Sequence, residues 1–230
     1  MTTLYIVATP IGNLQDITLR AAQTLLSVPY IIAESASKAG ILLNFLEKLF
    51  GQKRIVDQKI ISMNEDEEEQ KIPEIIRRLQ ENDAALISEA GTPLISDPGF
   101  KLVREAIRKG VRIVPIPGPS ATLAALSVSG LPTNKVTFVG FLPKSDSKRI
   151  IELIKLRKTN STIILFESPY RLVQALIDIR EVFGNIDIAV ARELTKIHEE
   201  ILRGKVSDAL FRFEQKPPKG EFVVLFYSKA

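Results

Sequence analysis

Leu86-Ile87-Ser88-Glu89-Ala90-Gly91-Thr92-Pro93-Leu94-Ile95-Ser96-Asp97-Pro98-Gly99 is a short apolar run that breaks into a loop of small residues and prolines. The run Ala84 to Ser88 predicts a buried strand, and Phe100 to Lys109 behind the loop predicts a helix stopped by Gly110. A loop at the carboxyl end of a strand is where open α/β sheets bind their ligands. Pro93 and Pro98 restrict this backbone, while Gly91 and Gly99 let a ligand or another segment come close. One such loop alone also reads as a plain strand-to-helix turn. Two further loops of similar make-up favour a site.

The first lies near the amino terminus. Leu4 to Ala8 predicts a buried strand, Thr9-Pro10-Ile11-Gly12-Asn13 a turn, and Thr18 the cap of a helix that runs through Leu26. Neither GxGxxG nor GxxxxGK[ST] is present, so a pyrophosphate cradle is not supported. The other follows the strand Arg112 to Ile116. It is Pro117-Gly118-Pro119-Ser120-Ala121, with Ser120 placed to cap the helix Ala121 to Ser129 and leave free N–H groups facing the loop. This loop lacks the second glycine of a nucleophile elbow, and the single histidine, His198, lies in a strand-like run. Both points argue against a serine hydrolase.

Between the first two loops, Tyr30 to Ala33 predicts a strand that ends at Glu34-Ser35-Ala36-Ser37, followed by a helix from Lys38 to Leu49. Glu34 reads equally as a cleft carboxylate and as the acid of a helix N-terminus. The acidic run Glu65 to Glu69 reads as a solvated loop leading into a helix that Pro73 starts.

Composition limits the chemistry. The 230 residues, 45% of them hydrophobic, suffice for a folded core in one large or two small domains. No run of eighteen apolar residues and no basic-then-apolar leader occurs, which predicts a soluble, cytoplasmic protein with no membrane partner. With no cysteine and one histidine, disulfides, thiolate zinc sites and cysteine nucleophiles are excluded, and no metal is expected. Chemistry must come from carboxylates, Lys, Arg, Ser, Thr, Tyr or a bound cofactor.

The second half repeats the strand and helix alternation. Val136 to Gly140, Thr162 to Phe166, Ile186 to Ala191, His198 to Arg203 and Phe222 to Tyr227 predict strands. Pro169 sits near the start of one helix, and Val206 to Phe213 forms a short one. The close spacing of the last strands fits a mixed sheet better than a parallel one. The fold class is thus α/β, with one domain over 1–116 and another over 117–230, each a sheet flanked by helices. Residues 1–116 carry 14 Lys/Arg against 15 Asp/Glu, and residues 117–230 carry 17 against 12, so the positive excess lies in the second half. There Lys144, Lys148, Arg149, Lys155, Arg157 and Lys158 face only Asp146 and Glu152, a cationic helical stretch suited to phosphates.

Five ordered motifs carry a resemblance that covers nearly the whole chain. They are Thr9 to Asn13, Ser88 to Pro93 with Ser96 to Gly99, Pro117 to Ser120, Phe166-Glu167-Ser168-Pro169-Tyr170-Arg171 and Ala191-Arg192-Glu193-Leu194-Thr195-Lys196. Together they resemble the tetrapyrrole methylase superfamily, and within it the branch that methylates small-subunit ribosomal RNA. The resemblance implies a two-domain methylase fold with the cofactor in a cleft between domains, and a homodimer. It implies an S-adenosyl-L-methionine-dependent 2′-O-methyltransferase acting on a cytidine ribose in the decoding region of 16S rRNA, as naked RNA or in the small ribosomal subunit. For the cofactor it points to Pro10, Ile11 and Gly12, to Gly91, Thr92, Pro93, Ile95, Ser96 and Asp97, to Pro119, Ser120 and Ala121, and to Phe166, Arg192 and Val223.

Two departures stand out. Members usually carry Glu-Asp-Thr-Arg where this chain has Glu34-Ser35-Ala36-Ser37, and they often continue into a small helical domain after the last strand. The expectation is that RNA is gripped by the methylase body, the cationic stretch at 144–158 included. A ribose hydroxyl is a poor nucleophile and benefits from a base or from a cation that stabilises developing alkoxide. Glu34, Glu89 and Asp97 are the candidate bases; Arg171, Arg192 and Lys196 are the candidate cations. A small-molecule methylase of the tetrapyrrole type and a non-catalytic RNA-binding relative are the alternative readings.

Overall fold

The computed structural model describes residues 2–229 and divides the chain into a first unit ending at Ser120 and a second beginning at Ala121. The first unit holds one sheet of five parallel strands: β1 (Thr3–Val7), β2 (Tyr30–Ala33), β3 (Lys59–Ser62), β4 (Ala84–Ile87) and β5 (Arg112–Ile116). Their spatial order is β3-β2-β4-β1-β5. Four helices connect them: α1 (Leu19–Ser27), α2 (Ala36–Phe50), α3 (Glu68–Leu79) and α4 (Phe100–Arg108).

Alternate side chains of each strand point to opposite faces, and in a parallel sheet both faces are covered. Ala85 and Ile87 of β4 accordingly join Ile31 of β2 and Val7 of β1 in a core closed by α1 and α2. Ala84 and Leu86 join Ile32 and Leu4 in a second core closed by α3 and α4. Every residue of β4 is therefore buried, which is why it reads as an unbroken apolar run.

The second unit opens with α5 (Ala121–Ser129) and contains β6 (Val136–Phe141), α6 (Asp146–Leu156), β7 (Ser161–Glu167), α7 (Leu172–Phe183), β8 (Asp187–Arg192), β9 (Glu200–Lys205), α8 (Val206–Gln215) and β10 (Phe222–Ser228). The sheet order is β6-β7-β10-β8-β9. Only the β6–β7 pair is parallel, so the sheet is mixed, as the close spacing of the last strands requires. One face is covered by α6, α7 and α8 through Leu153, Leu176 and Leu210, and α5 packs on β10 and β8. Among the described residues no helix is long and apolar enough to cross a membrane.

Several sequence expectations need correction. The division falls after Ser120 rather than after Ile116, because the loop from Pro117 to Ser120 is built into the first unit. A Cβ added at Gly118 would lie 3.1 Å from the Ala8 Cβ, and the Pro119 carbonyl accepts the Thr92 hydroxyl at 3.2 Å. β3 adds a strand to the sequence expectation; it is a four-residue edge strand of mixed exposure with one partner, β2. Helix α3 does not start at Pro73 but contains it, beginning at Glu68 behind a turn in which Asn64 accepts the Glu67 N–H at 2.9 Å.

The acidic run is not a solvated loop throughout. Glu68 is buried, and its carboxylate accepts the Leu102 N–H at 3.1 Å. It thereby caps α4, whose own N-cap, Gly99, has no side chain to do so. In the second unit His198 lies in a turn ahead of β9, and Pro169 precedes α7 rather than opening it.

Candidate cofactor and active site

The strand order decides which loops meet. β4, β1 and β5 are neighbours, so the loops leaving their carboxyl ends lie side by side at the edge where parallel sheets bind ligands. Backbone bonds lace them together. Thr9 donates to the Gly91 carbonyl at 2.9 Å and accepts from the Gly91 N–H at 3.0 Å, and Ala8 donates to the Ile116 carbonyl at 3.1 Å. Gly91 has φ of +80°, and a Cβ there would sit 3.2 Å from the Ile11 side chain. Pro10, Ile11, Gly91, Thr92 and Pro119, all expected to hold a cofactor, thus belong to one rigid cluster.

The remainder of the β4 loop is held in uncommon backbone conformations. Leu94 and Ser96 are non-glycine residues at φ of 74° and 67°. Each such residue costs about 1–3 kcal/mol and persists only where its surroundings over-determine it, a pattern that concentrates at functional sites. Ile95 and Ser96 are exposed on this loop, and Asp97 is partly buried beneath it.

Asp97 is the most perturbed carboxyl of the unit. Burial pushes it up to about 6; Glu34 and Glu89 push the same way, and a hydrogen bond from Ser88 opposes them. Glu34, at the end of β2, is also raised, first by burial and then by Glu89 and Glu65, against the attraction of Lys38. The three candidate bases therefore share one electrostatic neighbourhood. Lys38 forms an ion pair with Glu89, and Ser35 caps α2 by accepting the Lys38 N–H at 3.3 Å. Lys38, Ser88 and Glu65, none of them among the expected site residues, act on this carboxylate neighbourhood from the first turn of α2 and from just past β4 and β3.

The three candidate cations lie in the second unit, each with partners there. Arg171 donates to the carbonyls of Leu142 at 2.6 Å and Pro143 at 3.1 Å and stands 3.7 Å from Glu167. Arg192 donates to the Lys219 carbonyl at 2.7 Å and faces Glu200 at 3.4 Å. Lys196 lies 3.0 Å from both Glu193 and Glu221. Phe166 and Val223 are register partners on β7 and β10, and Val223 pairs with Ala191 on its other side.

The cationic stretch is also altered by the fold. Arg149 is buried, forms an ion pair with Asp178 and contacts Asp146 at 2.8 Å, so it holds α6 to α7 instead of facing solvent. Lys155 pairs with Glu152 at 2.9 Å. Lys144, Lys148, Arg157 and Lys158 are left as exposed cations.

A two-unit α/β chain with a laced loop cluster at the carboxyl edge of a parallel sheet is matched by a family model. That model, described as Tetrapyrrole (Corrin/Porphyrin) Methylases, covers residues 3–210, and the chain belongs to this family. Within it the chain groups with relatives named ribosomal RNA small subunit methyltransferase I. The relative from Thermotoga maritima is 44% identical over 227 residues, covering 98% of each chain. Those from Halalkalibacterium halodurans and Escherichia coli O157:H7 are 41% and 40% identical, covering 97% and 96% of this chain and 75% and 76% of theirs. Among solved structures, a diphthine synthase superposes with a TM-score of 0.74 at 16% identity, over 100% of this chain and 91% of that one, a likeness of fold.

Proposed function

We propose that this chain transfers a methyl group from S-adenosyl-L-methionine to the 2′-hydroxyl of a cytidine in the decoding region of 16S rRNA. The observation that carries the chemistry is Asp97, lifted to about 6 at the edge of the laced loops. A base with a pKa near the working pH combines a large ionised fraction with useful proton affinity. Asp97 is assigned the proton of the ribose hydroxyl, with Glu34 and Glu89 keeping its proton affinity up. The RNA substrate is inferred from the names of the relatives.

The loop cluster suits the cofactor. Close packing of Gly91 against Ile11 and Pro119 fixes the loop backbones that would hold it, Ile95 and Ser96 are exposed beside them, and the carboxylate neighbourhood suits a cationic sulfonium. Pro10 to Gly12, Gly91 to Asp97 and Pro119 to Ala121 are assigned to its binding, and Phe166, Arg192 and Val223 by the same reading. The bound cofactor supplies an activated methyl carbon. The protein's part is to align the hydroxyl and remove its proton, and positioning alone is worth up to about 7–11 kcal/mol in well-oriented systems. Arg171, Arg192 and Lys196 act in this scheme by shaping their loops, since each already has acceptors.

The test is transfer of tritium from labelled cofactor to small ribosomal subunits and to naked 16S rRNA, followed by mapping of the modified ribose. Label on a decoding-region cytidine 2′-oxygen is expected. Cofactor binding without transfer to either RNA substrate overturns the reading, and transfer to a tetrapyrrole instead assigns the small-molecule alternative. Sedimentation of the purified chain tests the homodimer that the same reading includes.

A further inference from the structure

Helix α8 ends where the chain enters Lys216-Pro217-Pro218-Lys219, since neither proline can supply the amide hydrogen to continue it. This segment is fastened to β8 by the Arg192 side chain, which donates to the Lys219 carbonyl at 2.7 Å. Between them lies a cavity of about 230 Å³, lined by Arg192, Glu200, Arg212, Phe213 and the segment from Lys216 to Lys219. Pockets that enclose a whole drug-sized ligand run to about 300–1,000 Å³. This one takes a fragment, with the rest of the ligand outside.

Its charge is lopsided. Four cations share one carboxylate. Glu200 faces Arg192 at 3.4 Å and Arg212 at 2.9 Å. Burial opposes its charge, but the hydrogen bonds and charges of Arg212 and Arg192 prevail and hold it below the ordinary carboxylate range. The arginines are thereby fixed as part of the wall. Lys216 and Lys219 are exposed, and neither has a carboxylate within 4.0 Å among the described residues. Phe213, Pro217 and Pro218 supply apolar surface.

A ligand matching this set has a flat apolar body small enough for the cavity and negative charges that stay outside it. We propose that the cavity is an RNA-docking subsite that takes one unstacked base of a single-stranded segment, with Lys216 and Lys219 on the flanking phosphates. Unpaired bases splay into such pockets while backbone contacts from lysine set the register. The inference rests on the reading of RNA as substrate, but it concerns grip; it shares the wall residue Arg192 with the cofactor assignment, while Lys216 and Lys219, which it tests, belong to neither the cofactor nor the proton-removal set.

The experiment measures binding of a fluorescein-labelled single-stranded RNA to the full chain by anisotropy, across a salt series. Each lysine-to-phosphate contact contributes about 0.7 to the slope of log affinity against log salt for single strands. The Lys216→Ala/Lys219→Ala double variant is expected to lower that slope by about 1.4 and to weaken binding about tenfold at low salt. Lys216→Arg/Lys219→Arg should retain both. Lys48→Ala/Lys53→Ala, which removes the same charge from exposed positions of the first unit, should leave the slope unchanged.

Wild-type behaviour of the Lys216/Lys219 alanine variant overturns the proposal, and so does an equal loss in the Lys48/Lys53 variant. Displacement of the RNA by inorganic polyphosphate at equal phosphate concentration overturns the base-binding part. Loss of RNA binding in the Lys216/Lys219 variant alone, in a wild type that transfers no methyl group to RNA, supports the subsite while removing the proposed function. Methyl transfer that survives intact in the variant at every salt concentration leaves that function standing and removes the subsite.

Discussion

Replacing Asp97 by Asn tests whether the fold holds this carboxyl against its preference. Its pKa rises from an ordinary 3.8 to about 6, chiefly because burial disfavours the charged form. At 1.36 kcal/mol per pH unit the penalty on the ionised side chain is at most about 3 kcal/mol. Solvent reaches part of the side chain, and screening reduces this to about 1–2 kcal/mol. The sign follows from linkage. Below pH 3.8 the carboxyl is protonated in the folded and the unfolded chain, and nothing is lost. Between 3.8 and about 6 only the unfolded chain ionises freely, so stability falls as pH rises, and above about 6 the whole penalty is present. Asn carries no charge at any pH and preserves the shape. Asp97→Asn should therefore melt with the wild type at pH 3.5 and about 3–6 °C above it at pH 7.5, followed by circular dichroism. The same protein should transfer methyl groups about 10²–10⁴-fold more slowly if Asp97 is the base. An equal or lower melting temperature at pH 7.5, or the same difference at both pH values, refutes the reasoning about burial. Unchanged turnover refutes the assignment of the base.

Three further outcomes are expected. Asp178→Ala leaves Arg149 buried and charged without its main partner and should cost about 3–5 kcal/mol in urea denaturation, most of it recovered in the Arg149→Met/Asp178→Leu double variant. Glu68→Ala removes the cap of α4 and should cost about 1–2 kcal/mol, whereas Glu68→Gln, which keeps an acceptor for the Leu102 N–H, should cost less; equal losses would mean that the charge and not the hydrogen bond matters. Gly99→Ala places a Cβ 2.8 Å from side-chain carbons of Leu86 and Leu94 at φ of +120°, and should cost about 1–3 kcal/mol and weaken cofactor affinity in calorimetric titration.

Three of these perturbations, at Asp97, Glu68 and Gly99, converge on one element. The loop from Ser88 to Gly99 is tied to Thr9 by backbone bonds, contributes Asp97 to the carboxylate neighbourhood, and leads into a helix capped from α3. Its left-handed residues Leu94 and Ser96 are thus braced from two directions. A stability gain in Asp97→Asn coupled to a loss of turnover would be the pattern expected where a fold trades stability for activity.

Read by itself, the sequence determined most of the element list and the fold class. Buried strands such as Ala84 to Ile87 are apolar runs, helix starts such as Thr18 carry their own caps, and glycine and proline mark where each ends. It also determined the methylase family, because ordered loop motifs survive without any knowledge of what they touch. Local signals failed where an element had little local definition, as in the short edge strand β3.

Only the tertiary structure decided what the charges do. Glu68 lies within an acidic run and becomes a helix cap 34 residues away. Arg149 lies within a basic run and becomes half of a buried pair with Asp178. Both runs look solvated in sequence, and burial follows from which face of α3 or α6 meets its neighbour. The carboxylate neighbourhood arises the same way. Glu34 and Asp97 are far apart along the chain, and they share one electrostatic field because β2 and β4 are adjacent in the sheet. Pairing between distant strands is a non-local choice, made by the packing of both faces of the sheet at once, and a single chain read in order does not contain it.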